Sequence, residues 1–559
     1  MATNDKYDRQ LRLWGANGQK ALMDAHILLI RADSVGTETL KNLVLPGVGT
    51  FTILDDFIVD HHDLGCNFFT DEQSLGKPRA EVVTELLCEM NSDVRGFARV
   101  ANFSNVFQTE PEYFSQFSLI ITANLSEHEL SPLAEMCWAK QISLITVKSY
   151  GLIGSVRLQL NGHSIIESKT EGDAFDLRIA EPFPELAQYC ENIHLEDLDS
   201  LQHGHVPYIA ILYKAISHWR SEHDGKNPST FAEKEEFKSF IKSQARDYHN
   251  EVNYQEAVRE YYRGYAKKTL SDALVELLQA QREENGYRLT SQSSEFDFLV
   301  RALDLFLAQN ANQLPLSGTI PDLTATTEQY VLLQQAYQAK ARADLDQFTQ
   351  LLHGVLESVG VPTSRVSHDS IESFCKHCQG AMKITTRSIA QEQHAEVAAE
   401  VVQEVLQDDL YQDPIQTPML WYLALRATDV FYSKYARWPG ATDSAFASDQ
   451  KEVFLILRAL CQEKYQLDEA ALESETETED VKMSGDGEEE EALPESVLVR
   501  RAHAQEIVRY GGIELHNISA LIGGIAAQEA VKMITHQFVP LNNTYVYNGI
   551  ACCGATYAL

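Results

Sequence analysis

Residues 26–55 constrain this chain more than any other stretch. His26-Ile27-Leu28-Leu29-Ile30 is a short unbroken apolar run, the pattern of a strand buried on both faces of a parallel sheet. Arg31-Ala32-Asp33-Ser34-Val35-Gly36 follows as a turn. Residues 37–45 then carry apolar side chains at helical spacing until Pro46-Gly47 stops them. A second run, Thr50-Phe51-Thr52-Ile53-Leu54, ends at Asp55. Strand, turn, helix, strand and terminal acid is the plan of a nucleotide-binding crossover, and it predicts an α/β fold.

The turn does not suit that task. A phosphate-binding turn reads Gly-x-Gly-x-x-Gly, so that bare backbone can approach the phosphates with its N–H groups. Here Arg31 holds the first glycine position and Asp33 the second. Only Gly36 remains, the position that lets the helix pack on the strand. Asp33 places a carboxylate where a phosphate belongs, and two like charges about 4 Å apart repel by about 1 kcal/mol in water and several-fold more near protein. Asp33 or Ser34 is expected to cap the helix instead.

At 559 residues the chain exceeds one core and implies two or three domains. Its net charge of −35 argues against nucleic acid and anionic membranes as partners. Nine cysteines without regular spacing suggest reduced thiols and a cytoplasmic or nuclear location. The polar start has no signal-peptide core, and no apolar run of about 18 residues is expected to span a membrane.

Residues 1–165 alternate helix and strand, with further strands at 118–123 and 142–147, and predict an open, mostly parallel sheet. Residues 166–472 read as one large all-helical insertion punctuated by proline and glycine. Residues 473–494 are acidic and poor in apolar side chains, a loose solvated spacer. Residues 495–559 return to the first texture and are expected to complete the first sheet, making that domain discontinuous.

Lys6-Tyr7-Asp8-Arg9-Gln10-Leu11-Arg12-Leu13-Trp14-Gly15 and Leu40-Lys41-Asn42-Leu43-Val44-Leu45-Pro46-Gly47-Val48-Gly49 resemble the opening segments of ubiquitin-like-protein activating enzymes. Leu314-Pro315-Leu316-Ser317-Gly318-Thr319-Ile320-Pro321-Asp322 and Ile525-Ala526-Ala527-Gln528-Glu529 are similar to the non-catalytic subunits of the heterodimers that begin neddylation. So are Arg426-Ala427-Thr428-Asp429-Val430-Phe431 and Arg437-Trp438-Pro439-Gly440. The resemblance runs the length of the chain. It implies a discontinuous Rossmann-like pseudo-adenylation domain, with the insertion corresponding to a catalytic-cysteine-type domain.

The same resemblance marks what is missing. Asp55 matches the acid that holds the ribose, but Phe57 replaces the next acid and Gly65-Cys66 an Asn-Arg pair. Arg79 matches a lysine, and the acid expected near Asn124-Leu125 is absent. No cysteine precedes threonine, as the transfer cysteine of active members does. The resemblance therefore implies no autonomous catalysis and no cofactor bound by this chain alone, with ATP and magnesium at a catalytic partner subunit. The implied partners are that subunit, the ubiquitin-like modifier of neddylation and, transiently, a conjugating enzyme. Arg9 corresponds to an arginine that reaches the partner's ATP across the interface. The plainer reading is that Arg9 or Arg12 pairs with Asp8 or with a sheet-end carboxylate. Asp322, Tyr330, Leu333 and Tyr337 correspond to a partner-contact region, although an apolar stripe at that spacing also suits a core.

The sumoylation counterpart is a rival reading, but its insertion is much shorter by resemblance. A pure adaptor is another, and a dehydrogenase would need the absent glycines. Cys375-Lys376-His377-Cys378 has metal-like spacing without a second pair, so ordinary thiols rather than a metal are expected. Cys552-Cys553 is read as packing.

Overall fold

Strand β1 (His26–Ile30) is buried over its last four residues because strands flank it on both sides. The sheet contains β1, β2 (Thr50–Leu54), β3 (Arg95–Arg99), β4 (Leu119–Ala123), β5 (Ser143–Tyr150), β6 (Ile153–Gln159), β7 (Thr544–Asn548) and β8 (Cys553–Tyr557). Their order is β8-β7-β6-β5-β4-β1-β2-β3 in a computed structural model that describes residues 6–168, 175–285, 289–394, 396–407, 413–474 and 497–559. Strands β3, β2, β1, β4 and β5 run parallel, while β6, β7 and β8 pair antiparallel. The chain leaves β1 in one direction for β2 and later returns to its other side for β4. That reversal opens a crevice at the carboxyl ends of β1 and β4, where such sheets place their sites.

Helix Ser34–Val44 follows β1 and lies close on the sheet. A Cβ at Gly36 would meet Ala123 Cβ and the Arg31 carbonyl oxygen, both at 2.9 Å, so this position requires glycine. Helix His516–Thr535 packs on helix Ser34–Val44 just as closely, since a Cβ at Gly523 would stand 2.8 Å from Glu38 Cβ. His516–Thr535 is also 20 residues long and apolar enough to cross a membrane, which corrects the expectation that no such run exists. Its buried Ile518, Ile522, Ala526, Ala530 and Met533 are committed to the sheet's own core.

The chain divides into two compact units, Met1–His163 with Lys383–Leu559, and Ser164–Met382. The helical insertion was expected to run to 472, and this boundary is corrected to Met382. Helix Pro418–Tyr435 explains the difference. It is buried around most of its circumference, from Met419 to Phe431, and shares a core with Tyr150, Ile153, Val546 and Tyr557 of the sheet strands. Helical periodicity identifies such a helix without saying which body covers it. Of the acidic stretch 473–494, Glu473 is held by Arg501 Nε at 3.1 Å, and residues 475–494 lie outside the described residues.

The second unit's described elements from Pro184 to His377 are helices joined by loops, and it has two hydrophobic cores. Helix Thr327–Ser358, 32 residues long, serves both. Its Leu333 and Tyr337 enter the core around Leu186, Trp219, Phe237 and Tyr254. Its Phe348 and Leu352 enter the core around Phe298, Phe306 and Phe374.

Candidate functional site

The crevice at the ends of β1 and β4 is filled from within. Arg31 has a left-handed backbone, φ 67°, where the missing glycine would sit without strain. Its guanidinium turns aside to meet Glu129, at 2.7 Å from Oε1 and 2.9 Å from Oε2, and donates to the Asn124 carbonyl at 3.0 Å. A left-handed non-glycine residue costs about 1–2 kcal/mol, and this largely buried ion pair, in which Nη2 meets both carboxylate oxygens, offsets it.

Neither Asp33 nor Ser34 caps the helix with its side chain, contrary to expectation. Ser34 Oγ donates to the Cys66 carbonyl at 2.7 Å. The cap comes instead from Glu514, 480 residues away in sequence. Its Oε2 accepts from Ser34 N at 2.8 Å, and its Oε1 accepts from Val35 N at 3.0 Å and from Ser519 Oγ at 3.2 Å. A carboxylate therefore occupies the helix N-terminus, the place where a nucleotide phosphate would gather the same N–H groups. Burial pushes the Glu514 carboxyl up to about 7, with the Asp33 charge acting in the same direction, while the Val35 and Ser34 amides pull it down.

Arg79 occupies the next part of the crevice. It is buried and meets three carboxylates: Asp55 Oδ2 at 2.7 Å, Asp33 Oδ1 at 2.8 Å and Asp63 Oδ1 at 2.9 Å. Burial opposes its charge, yet Asp33 and Asp55 hold the guanidinium above its usual range. Asp55 is fully engaged, because Oδ2 also accepts from Ala32 N at 3.0 Å and Oδ1 from Phe57 N at 3.1 Å. The Phe57 ring covers the cluster, 4.9 Å from the Arg79 guanidinium and 5.7 Å from that of Arg31. A nucleotide does not fit this donor set. The N–H groups already hold the Glu514 carboxyl group, and the acid for a ribose is already paired.

Residues 7–551 match the ThiF family. The "NEDD8-activating enzyme E1 regulatory subunit" of Xenopus laevis is 36% identical over 560 residues, covering 99% of this chain and 98% of its own. The protein named "NEDD8-activating enzyme E1 regulatory subunit AXL" from Arabidopsis thaliana is 36% identical over 546 residues, 98% of this chain and 97% of its own. The chain belongs to the ThiF family, among the NEDD8-activating enzyme E1 regulatory subunits. A solved structure of E. coli tRNA N6-threonylcarbamoyladenosine dehydratase in complex with AMP is 23% identical, with a TM-score of 0.25 over 28% of this chain and 65% of that one.

Within this regulatory-subunit chain, Gly36, Arg31, Asp33, Asp55 and Arg79 lie together at one crevice. Glu514, Asp63 and Glu129 complete it and were missed. The only local hint of Glu514 was an acid after Gly511-Gly512 between two helices. Arg9 stands exposed on helix Asp8–Asp24 and makes no hydrogen bond or ion pair among the described residues. Arg12 instead pairs with Asp8 at 3.0 Å.

The partner-contact set is corrected in part. Leu333 and Tyr337 are fully buried, and Tyr337 Oη donates to the Leu177 carbonyl at 2.6 Å, so neither side chain is available to a partner. Their helical stripe belongs to the core. Tyr330 is half-buried and Asp322 exposed. Cys375 and Cys378 are buried in the second unit's core, and burial pushes the Cys378 thiol up to about 12.

Proposed function

We propose that this chain is the non-catalytic half of a heterodimeric enzyme that activates the ubiquitin-like modifier of neddylation. The observation that carries this reading is the filled crevice: a nucleotide fold whose phosphate position is held by Glu514 and whose acids are held by Arg79. The name shared by relatives aligned over nearly the whole chain supports the assignment to neddylation. In this reading the catalytic partner binds ATP and magnesium, adenylates the modifier's carboxyl terminus and carries the thioester cysteine. A conjugating enzyme then accepts the modifier. Arg9, exposed and without an internal counter-charge among the described residues, extends to the ATP phosphates in the partner's site. The cytoplasm or nucleus is the compartment, in keeping with nine free thiols.

The test is reconstitution. The purified chain is mixed with a neddylation catalytic subunit, the modifier and ATP, and the modifier thioester is followed on non-reducing gels. The reading expects thioester on the partner only when both chains are present. Thioester formed at full rate by the partner alone would reduce this chain to an adaptor.

A further inference from the structure

The nine cysteines are not alike. Cys66, Cys137, Cys190, Cys375, Cys378 and Cys461 are buried and Cys88 is half-buried, whereas Cys552 is exposed and Cys553, its chain neighbour, is half-buried. The expectation that this pair serves packing does not describe Cys552. Both residues lie where the β7–β8 hairpin turns into β8, with Cys553 opposite Asn548. The turn is firmly built. Asn548 Oδ1 accepts from Ile550 N at 3.0 Å, and Asn548 Nδ2 donates to the Ile415 carbonyl at 2.8 Å. Cys552 is held in the left-handed region, φ 52°, which is unfavourable for a residue with a Cβ. Its Sγ donates to the Gly549 carbonyl at 3.7 Å, and Cys553 Sγ donates to the Gln416 carbonyl at 3.3 Å. Cys552 also lies beside the Tyr547 hydroxyl, and every one of these thiol contacts is a weak hydrogen bond.

We propose that Cys552 and Cys553 form a reversible, peroxide-sensitive dithiol at the edge of the sheet. Hydrogen peroxide is the oxidant. The exposed Cys552 sulfur attacks one peroxide oxygen, the O–O bond breaks, and Cys552 sulfenic acid and water result. The Cys553 sulfur then attacks the Cys552 sulfur. The S–O bond breaks, an S–S bond forms, and the oxygen leaves as water with the Cys553 proton. Two thiols lose two electrons in total, and one peroxide gains them.

The bond is suited to a switch rather than a staple. Adjacent Cα atoms lie about 3.8 Å apart, shorter than the usual disulfide span of about 4.4–6.8 Å. Strain of that kind makes a disulfide easier to reduce and places it among the labile, regulatory class. Closure also withdraws Cys553 from the Gln416 carbonyl, so the site reports on the contact between the hairpin and the turn at 414–416.

The full chain is treated under native conditions with a small excess of hydrogen peroxide, alkylated and digested. The peptide holding both residues is then weighed. The expected product is unalkylated, lighter than the reduced peptide by two hydrogen atoms, and returned to the dithiol by millimolar glutathione. The Cys553→Ser chain should instead accumulate a Cys552 sulfenic acid that dimedone traps, while Cys552→Ser should leave Cys553 alkylatable. Sulfinic acid on wild-type Cys552 with Cys553 still alkylatable would overturn the proposal. A disulfide joining two chains, or no reaction at all, would do the same.

Discussion

Glu514 is the residue on which the site turns. It supplies the paired oxygen acceptors that helix Ser34–Val44 would otherwise take from a phosphate. Replacing it with alanine leaves the Ser34 and Val35 amides uncapped, and we expect a loss of about 1–2 kcal/mol in urea unfolding. Its carboxyl is raised from 4.5 to about 7 in the fold, so the fold retains a proton that the unfolded chain releases. The stability this contributes is complete below about pH 4.5 and is lost as pH rises through about 7. The stability of wild type relative to Glu514→Gln should therefore fall across that window. A flat difference would mean that Glu514 is ionised throughout. Arg79→Met strands Asp33, Asp55 and Asp63 without their shared cation. Breaking a buried pair in this way typically costs about 3–5 kcal/mol, and a lower thermal midpoint, partly restored by adding Asp55→Asn, is the expected result. Arg9→Ala is predicted to slow pyrophosphate exchange by the assembled heterodimer about ten- to a hundredfold, the value of one charge-assisted contact. Arg9→Lys should recover part of that rate, and gel filtration should show an unchanged dimer.

At the scale of elements, the first strand, the turn and helix Ser34–Val44 form a cradle that keeps its packing glycine and gives up its binding glycines. Gly36→Ala is expected to destabilise the chain by about 1–3 kcal/mol, because its Cβ would overlap Ala123, the Arg31 carbonyl and Leu29. Restoring glycine at both 31 and 33 should still give no saturable ATP binding, since the cap is Glu514 and not Asp33. This part of the fold was legible because each strand is a short apolar run and the helix is stopped by Pro46-Gly47. The filling of the cradle was legible only in half. Arg31, Asp33, Asp55 and Arg79 stand where a motif can be aligned, whereas Glu514 arrives from a loop 480 residues on, and no local pattern signals that approach. Leu333 and Tyr337 illustrate the opposite error. An apolar stripe on one helix face looks the same whether it meets a partner or its own core, and burial alone tells them apart.

Over the whole molecule, the return of the chain is what completes the site. The segment after 497 brings Glu514, helix His516–Thr535 and strands β7 and β8 to a unit begun by residues 6–163. A chain ending at 472 should therefore fail to fold its first unit. The Ser164–Met382 fragment, with two hydrophobic cores of its own, should unfold cooperatively in isolation, as followed by circular dichroism in urea. The return was readable from the renewed strand and helix texture of the last residues. The placement of residues 383–472 was not, because helix Pro418–Tyr435 is apolar over most of its surface and could have been covered by either body. In the function proposed above, a nucleotide fold filled by its own side chains belongs to a subunit that assists chemistry elsewhere. Equilibrium dialysis with ATP and magnesium tests that claim most directly, using this chain alone and the heterodimer reconstituted with a catalytic subunit. One ATP per heterodimer and no saturable binding by the single chain are the expected results. Saturable binding by the single chain, or two ATP per heterodimer, would contradict that claim.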